Sequence, residues 1–291
     1  MADIFDLQDE ITNAVVGAVE PELAIAERDR ATRKPTDSLD AWDLYQRGMW
    51  HFWRLNKADG AMALDYLERA SEMDPKFASA FAGLAWAHGA IATYGWTETP
   101  DVSRVKAFEA ARRAVDIDDK DAFGHMVLGR LLGVQGAFED AIAELCRVLE
   151  NNPNFAIANY ALGLTLVAKG EFEEAMEVSE KAMRQSPNDP LLWAMEMVMS
   201  GALMGLHKYE EALSWSRRSC RHPTAPYWAE LRLIPPLVAL EQMDEAHEAL
   251  AAARKKFPDL SVTIIKDGAG ALGANLTEGL LSFVRTAGLP E

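Results

Sequence analysis

The chain has 291 residues, and its 29 lysines and arginines stand against 45 aspartates and glutamates, which gives a net charge of −16 at pH 7. So acidic a surface repels phosphate backbones and anionic lipids, and we expect no nucleic acid and no membrane among its partners. Hydrophobic residues make up 49% of the chain, which is enough for a folded core and argues against intrinsic disorder.

Residues 1–37 form a segment of their own, and its first part predicts an amphipathic helix over residues 3–20. One face of this helix is apolar and needs a partner surface; it carries Ile4, Leu7, Ile11, Val15 and Val19. Docking on the rest of the chain and pairing with a second copy both stay open, so a homodimer through this helix is possible. Acids stand where a secretory signal needs a basic start and an apolar run, and we expect a cytoplasmic protein.

A repeat of about 34 residues follows this segment. The hexapeptides Gly136–Ala141 and Gly170–Ala175 share their pattern, and a proline stands twelve residues after each terminal alanine, at Pro153 and Pro187. Such a unit predicts a helix, a turn, a second helix and a second turn. Continued in both directions, the spacing marks six units by the alanines Ala63, Ala107, Ala141, Ala175, Ala212 and Ala246.

This pattern resembles the tetratricopeptide repeat, which places small residues where paired helices touch and a proline at the repeat junction. The fourth unit carries the pattern most fully, with Leu162, Gly163, Ala175, Ala182 and Pro187. The resemblance implies an all-α fold, a right-handed superhelix of about six helix pairs over residues 38–258. An N-terminal helix precedes it, and a degenerate repeat with a capping helix follows over residues 259–291.

Three departures from the pattern predict local irregularities. Ten extra residues before Ala107 fall in the stretch 94–100, where we expect the longest connection between helices. Pro235 and Pro236 fall inside the first helix of the sixth unit and predict a break or kink, because each costs about 3 kcal/mol in a helix interior. Near the C-terminus a short capping helix is predicted over residues 277–285, with Thr277 near its N-cap.

The ends of the chain carry a narrower resemblance. Residues 3–11, 39–48 and 286–291 are similar to the C-terminal region of bacterial signalling proteins in which a class III nucleotide cyclase domain, or a winged-helix DNA-binding domain, precedes tetratricopeptide repeats. The resemblance implies that the chain is the regulatory part of such a protein or a stand-alone relative. Neither the cyclase nor the DNA-binding part is in this sequence.

Motifs for chemistry are weak. The stretch Gly268–Gly273 fits the glycine pattern of a dinucleotide-binding turn and follows a strand-like run, 262–265, but the further strands of such a fold are missing. The acidic run 116–121 lacks the glycine and closing glutamate of a calcium loop, and helix-start carboxylates are the preferred interpretation. The six histidines lack metal-site spacing, and Cys146 and Cys220 lack partners. We expect no enzyme, no cofactor and no metal.

The informative feature is one face of the first helix in each unit. In tetratricopeptide proteins these helices line the concave surface, and here that face is apolar, aromatic and rich in methionine. Packing between helices is one explanation; a groove for a partner is the other, because alanines and glycines already fill the close helix contacts. The predicted groove residues are Trp42, Tyr45, Met49, Phe52, Trp53, Trp86, Phe123, Met126, Arg130, Tyr160, Leu164, Met197 and Trp228.

The sequence therefore predicts a non-catalytic interaction and regulatory module that holds a helical or extended apolar peptide segment in bacterial signalling. Arg130 is the only clear cation on the concave face, which argues against a ligand held by its C-terminal carboxylate. The alternative is a sensor that binds a small ligand or peptide in the aromatic groove around Trp42, Trp53 and Trp86.

Overall fold

A computed structural model of the chain describes residues 40–269 and 274–291, and the single residues Leu23, Ala26 and Arg28 before them. Throughout the two described ranges the regular structure is helical, with fourteen helices and no strand. None of these helices has the length and apolar character that a membrane crossing requires. The predicted helical face from Ile4 to Val19 lies outside the described residues.

The helices pack as successive pairs, each helix against its partner in the pair and against the first helix of the next pair. The predicted all-α superhelix of about six helix pairs is therefore confirmed. In chain order the helices are α1 (Ala41–Phe52), α2 (Lys57–Met73), α3 (Ala78–Thr93), α4 (Pro100–Ile117), α5 (Ala122–Val134), α6 (Phe138–Asn151), α7 (Ala156–Lys169), α8 (Phe172–Gln185), α9 (Leu192–Gly205), α10 (Tyr209–Ser219), α11 (Tyr227–Ala239), α12 (Met243–Lys256), α13 (Val262–Ala269) and α14 (Ala274–Thr286).

Small side chains bring the paired helices into close contact. All six alanines of the repeat ladder are completely buried, from Ala63 to Ala246. Gly163 on α7 shows how close the approach is, since a methyl group added there would lie 2.6 Å from the hydroxyl of Ser179 on α8. The local repeat pattern thus places the residues that hold each pair together, because a larger side chain at these positions would push the two helices apart.

Helix starts use the carboxylates that the sequence supplies. The side chain of Asp40 accepts a hydrogen bond from the backbone N–H of Asp43 at 2.8 Å and forms a reciprocal capping box at the start of α1. Asp121, from the acidic run 116–121, accepts bonds from the backbone N–H groups of Phe123 and Gly124 at the start of α5. Both carboxylates satisfy amide groups that have no partner inside the helix.

The prediction of a break or kink at Pro235 and Pro236 is wrong as to the break, because α11 runs through both residues, and the kink stays a prediction. Pro236 has no N–H to donate to the carbonyl of Arg232, four residues earlier. The hydroxyl of Ser216 on α10 donates to that carbonyl instead, at 2.9 Å, and lies 2.7 Å from the hydroxyl of Ser200 on α9. A side chain from the neighbouring unit replaces the missing backbone donor and preserves the helix.

The ten extra residues of the second unit lengthen its helices more than its loop. Helix α4 has 18 residues against 14 in α6, and the connection from α3 to α4 covers residues 94–99. This is the longest connection within a pair. The prediction that it is the longest of all is wrong, since residues 220–226, between the fifth and sixth pairs, are one residue longer.

The predicted C-terminal helix is present as α14, which begins at Ala274 and therefore has Thr277 in its first turns. The strand-like run 262–265 is the first turn of α13. The backbone N–H of Val262 donates to the carbonyl of Pro290 at 2.9 Å, which ties the end of the chain to the start of α13. Helix α14 packs on α11, and α13 also reaches α3.

Candidate binding groove

The first helices of the pairs, α1, α3, α5, α7, α9 and α11, pack side by side and form the surface that we expect to be concave. A run of aromatic rings follows its first half. The rings of Phe52 and Trp86 lie 6.0 Å apart, and those of Trp86 and Phe123 lie 6.1 Å apart. We call these three residues the aromatic ladder. The guanidinium of Arg130 continues it into the fourth unit, 5.5 Å from the ring of Trp86 and 5.9 Å from that of Tyr160.

The second half of the surface borders an open cleft. Its volume is about 570 Å³ when the open solvent in the cleft is counted. Arg130 and Tyr160 border it on one side, and Trp193, Trp228 and Arg232 border it on the other. We call these five residues the arginine end of the groove. Its remaining walls are mostly aliphatic, so the arrangement is an apolar cleft with two guanidinium groups.

Seven of the predicted groove residues line this space or the adjoining one of about 670 Å³, open solvent included. They are Phe52, Trp86, Arg130, Tyr160, Leu164, Met197 and Trp228. The six that line neither space are Trp42, Tyr45, Met49, Trp53, Phe123 and Met126.

These six residues differ in what they contact. Trp42 is 47% exposed and packs against Tyr45 at a ring distance of 5.8 Å. Met126 is completely buried and Met49 is 4% exposed, so neither offers a surface to a partner in this conformation. Their burial reflects packing between the first helices of neighbouring units.

Trp193, Arg232 and Tyr94 are among the lining residues that the sequence analysis missed, and the first two had a signal. Trp193 stands four residues before Met197, and Arg232 stands four residues after Trp228, so each shares a helix face with a predicted residue. Arg232 also corrects the expectation that Arg130 is the only clear cation of the groove. Tyr94 lines both spaces from the connection after α3, where no helical periodicity points to it.

Tyr94 also closes the groove at one edge, because the second unit touches the sixth. The hydroxyl of Tyr227 on α11 donates a hydrogen bond to the backbone carbonyl of Tyr94 at 3.3 Å. Gly95, with φ of +68°, packs closely against Ile264 of α13, and a methyl group added there would lie 3.2 Å from that side chain. The superhelix therefore bends far enough for its ends to meet beside the groove.

Unpaired hydrogen-bond donors are concentrated on this surface. Four buried nitrogen atoms of residues that line the two spaces have no acceptor among the described residues: the Nε1 atoms of Trp86 and Trp193, Nη1 of Arg130 and Nε of Arg232. A buried donor without a partner costs about 1–3 kcal/mol and more when it is charged. The groove can therefore offer hydrogen bonds to a ligand that brings acceptors.

Burial shifts the ionisation of two side chains here. Desolvation lowers the pKa of the Arg232 guanidinium to about 10, which still leaves it charged at neutral pH. Desolvation raises the pKa of the Tyr94 phenol, with a smaller raising contribution from Tyr160 and a lowering one from Arg130. Charges beside these two buried side chains therefore interact more strongly than charges on the outer surface.

The described part of the segment before α1 also reaches the concave side. The guanidinium of Arg28 lies 5.8 Å from the ring of Trp53. Burial raises the pKa of the Asp189 carboxyl just before α9, and the charge of Arg28 counteracts this rise. Arg28 is thus close to residues of the first and fifth units at once.

The described residues do not bring metal-binding side chains or reactive thiols together at one place. Within residues 40–269 and 274–291, no three histidine, cysteine, aspartate or glutamate side chains come together as metal ligands. Cys146 and Cys220 are free, and burial raises the pKa of the Cys220 thiol to about 12. The thiol of Cys220 is therefore protonated at neutral pH.

Comparison with known sequences confirms the resemblance to tetratricopeptide proteins. Residues 126–190 match the tetratricopeptide repeat family model. Among curated proteins, the putative adenylate cyclase 3 of Rhizobium meliloti (strain 1021) is 30% identical over 48% of this chain and 24% of its own length. The match therefore spans about half of this chain and about a quarter of that relative.

Three solved structures share the fold. The structure of pilF from Pseudomonas aeruginosa is 20% identical, with a TM-score of 0.50 over 82% of this chain and 97% of its own. The type IV pilus biogenesis factor PilW is 19% identical, with a TM-score of 0.53 over 78% and 96%. The APC/C hetero-tetramer Cut9–Hcn1 is 16% identical, with a TM-score of 0.59 over 89% and 48%. At these identities the likeness concerns the helical superhelix alone.

Proposed function

We propose that this chain is a non-catalytic interaction module whose concave groove holds an apolar segment of a partner protein. Its repeat fold implies protein or peptide binding. The observation that supports the groove as the site is the pair of half-buried apolar side chains, Leu164 and Met197, that line open space beside the buried rings of Tyr160 and Trp228.

The partner segment we propose is a short helix or extended strand with large apolar side chains at its centre and basic residues at its ends. The apolar centre matches the aromatic ladder and the aliphatic wall around Leu164 and Met197, both only half-buried. The basic ends complement the net charge of −16 that the whole chain carries. A segment of this composition binds through one face, as peptides do in other grooves.

We place this module in bacterial signalling, in the cytoplasm, as the regulatory part of a nucleotide cyclase or a related signalling protein. Support for this context is the partial likeness to the putative adenylate cyclase of Rhizobium meliloti. The apolar helix face with Leu7 and Ile11 would add a homodimer contact. A Leu7→Asp, Ile11→Asp double variant then sediments as a monomer, whereas an unchanged mass with lower stability indicates docking on the same chain.

The groove is tested with peptides selected from a random twelve-residue library on the purified chain. Leu164→Glu and Met197→Glu place a charge in the groove at half-buried positions and should weaken a selected synthetic peptide at least tenfold. Met62→Glu is the matched control, because Met62 is 42% exposed on the outer helix α2. Failure to select a peptide, or equal binding by the groove variants and the control, contradicts the proposed function.

A further inference from the structure

We propose that the arginine end of the groove is a binding site for a small organic carboxylate with an apolar body, held between Arg130 and Arg232. This goes beyond the partner segment, since the ligand is a small molecule and its binding needs no partner protein. The proposal stands on three features of the site: two guanidinium groups, the absence of acidic groups around them, and apolar walls.

The fold brings the two arginines to one space from distant parts of the chain. Arg130 lies on α5 and Arg232 on α11, and both border the space that Tyr160 and Trp193 also line. The position of Arg232 depends on the continuity of α11, because the Ser216 hydroxyl donates a hydrogen bond to the backbone carbonyl of Arg232. Two guanidinium groups around one cleft form a fork of donors suited to the two oxygens of a carboxylate.

Neither arginine has an acidic partner among the described residues, although the chain is rich in acids. No aspartate or glutamate lines the arginine end in the described part of the chain, and Nη1 of Arg130 and Nε of Arg232 are buried without an acceptor. Arg104, which borders the adjoining space, shows the contrast, because its guanidinium lies 2.5 Å from the carboxylate of Asp101. The unpaired arginines therefore retain their capacity for an anion.

The surrounding groups favour a carboxylate with an apolar body over other anions. The Nε1 atom of Trp193 adds a donor without an acceptor among the described residues, so the complement is a group that only accepts hydrogen bonds. The aromatic and aliphatic walls match an apolar body. A doubly charged phosphate is repelled more strongly than a carboxylate by a chain with a net charge of −16.

The test measures binding of 3-phenylpropionate to the whole chain by calorimetry, with the uncharged 3-phenylpropanamide and inorganic phosphate as comparisons. The carboxylate should bind at least ten times more tightly than the amide and the phosphate. Arg130→Gln and Arg232→Gln should each weaken it at least tenfold, and Arg254→Gln, exposed on α12, should leave it unchanged. No saturable binding, equal binding of the amide, or unaffected arginine variants overturns the proposal.

Phosphate binding as tight as carboxylate binding overturns the ligand class.

A stability measurement separates a binding role of Arg232 from a structural one. Without ligand, Arg232→Met should melt at or above the temperature of the native chain, because it removes a buried unpaired charge, and added carboxylate should raise the melting temperature of the native chain alone. If Arg232→Met melts well below the native chain and the carboxylate gives both the same shift, Arg232 is structural and the site is wrong.

Discussion

Removing the Ser216 hydroxyl should lower the free energy of unfolding, because this hydroxyl replaces the backbone donor that Pro236 lacks inside α11. This hydroxyl is completely buried and donates to the Arg232 carbonyl at 2.9 Å, while the Ser200 hydroxyl lies 2.7 Å from it. Ser216→Ala loses about 1 kcal/mol for the bond between the serines and about 1–3 kcal/mol for a buried carbonyl left without a donor. The free energy of unfolding should fall by about 2–4 kcal/mol.

A second substitution isolates the proline contribution. Pro236→Ala restores the N–H that α11 lacks, so that the Arg232 carbonyl regains a helix donor. In this background Ser216→Ala should cost only about 1 kcal/mol, the value for the bond to Ser200. Urea unfolding of the four proteins, followed by circular dichroism, gives the coupling between the two sites. An equal cost of Ser216→Ala in both backgrounds refutes this explanation of the continuous helix.

Two further predictions concern buried positions. Burial, with a smaller contribution from the Lys106 charge, lowers the pKa of His88 from 6.5 to about 4, so its contribution to stability is complete above pH 6.5 and is lost as the pH falls toward 4. Over that range the native chain should lose up to about 3 kcal/mol more stability than His88→Leu in parallel urea titrations, and identical pH profiles count against the shift. Gly163→Ala should lower the free energy of unfolding by about 1–3 kcal/mol, because the added methyl meets the Ser179 hydroxyl. Gly279→Ala on α14 is the matched control, since nothing lies within 4 Å, and should raise it by up to about 1 kcal/mol.

The helix pairs were predictable because their determinants are local. The ladder alanines and the glycines opposite them recur at a fixed spacing, and each acts within its own helix pair. The continuity of α11 was not predictable in this way. Pro236 alone predicts a break, and the compensating donor, Ser216, belongs to a different helix, so that only the packing of the two units shows how the helix is preserved.

The groove was predicted only in part, because helical periodicity is a local signal. Helical periodicity identified Trp86, Tyr160 and Trp228, since each stands on the inner face of a first helix. It does not tell which inner residues line open space and which, like the completely buried Met126, fill the contact between units. The pairing of Arg130 with a second arginine depends on the curvature of the whole superhelix, which no single repeat encodes.

The contact between the second and sixth units also depends on the curvature of the whole superhelix. The extra residues before Ala107 predicted an enlarged connection, and it carries Tyr94 and Gly95 to the C-terminal helices. Which surface this connection meets follows from the number of units and the rotation between them. A pattern within one repeat contains neither quantity.

Photo-crosslinking from inside the groove tests most directly the claim that the concave face is the partner site. A benzoylphenylalanine at position 164 faces the groove, and one at the position of Met73, 57% exposed on α2, is the control. With a library-selected peptide, the groove position should crosslink in proportion to binding and lose the signal when Met197→Glu is added, while the outer position should remain unlabelled. Crosslinking from the outer position, with none from the groove, contradicts the proposed site.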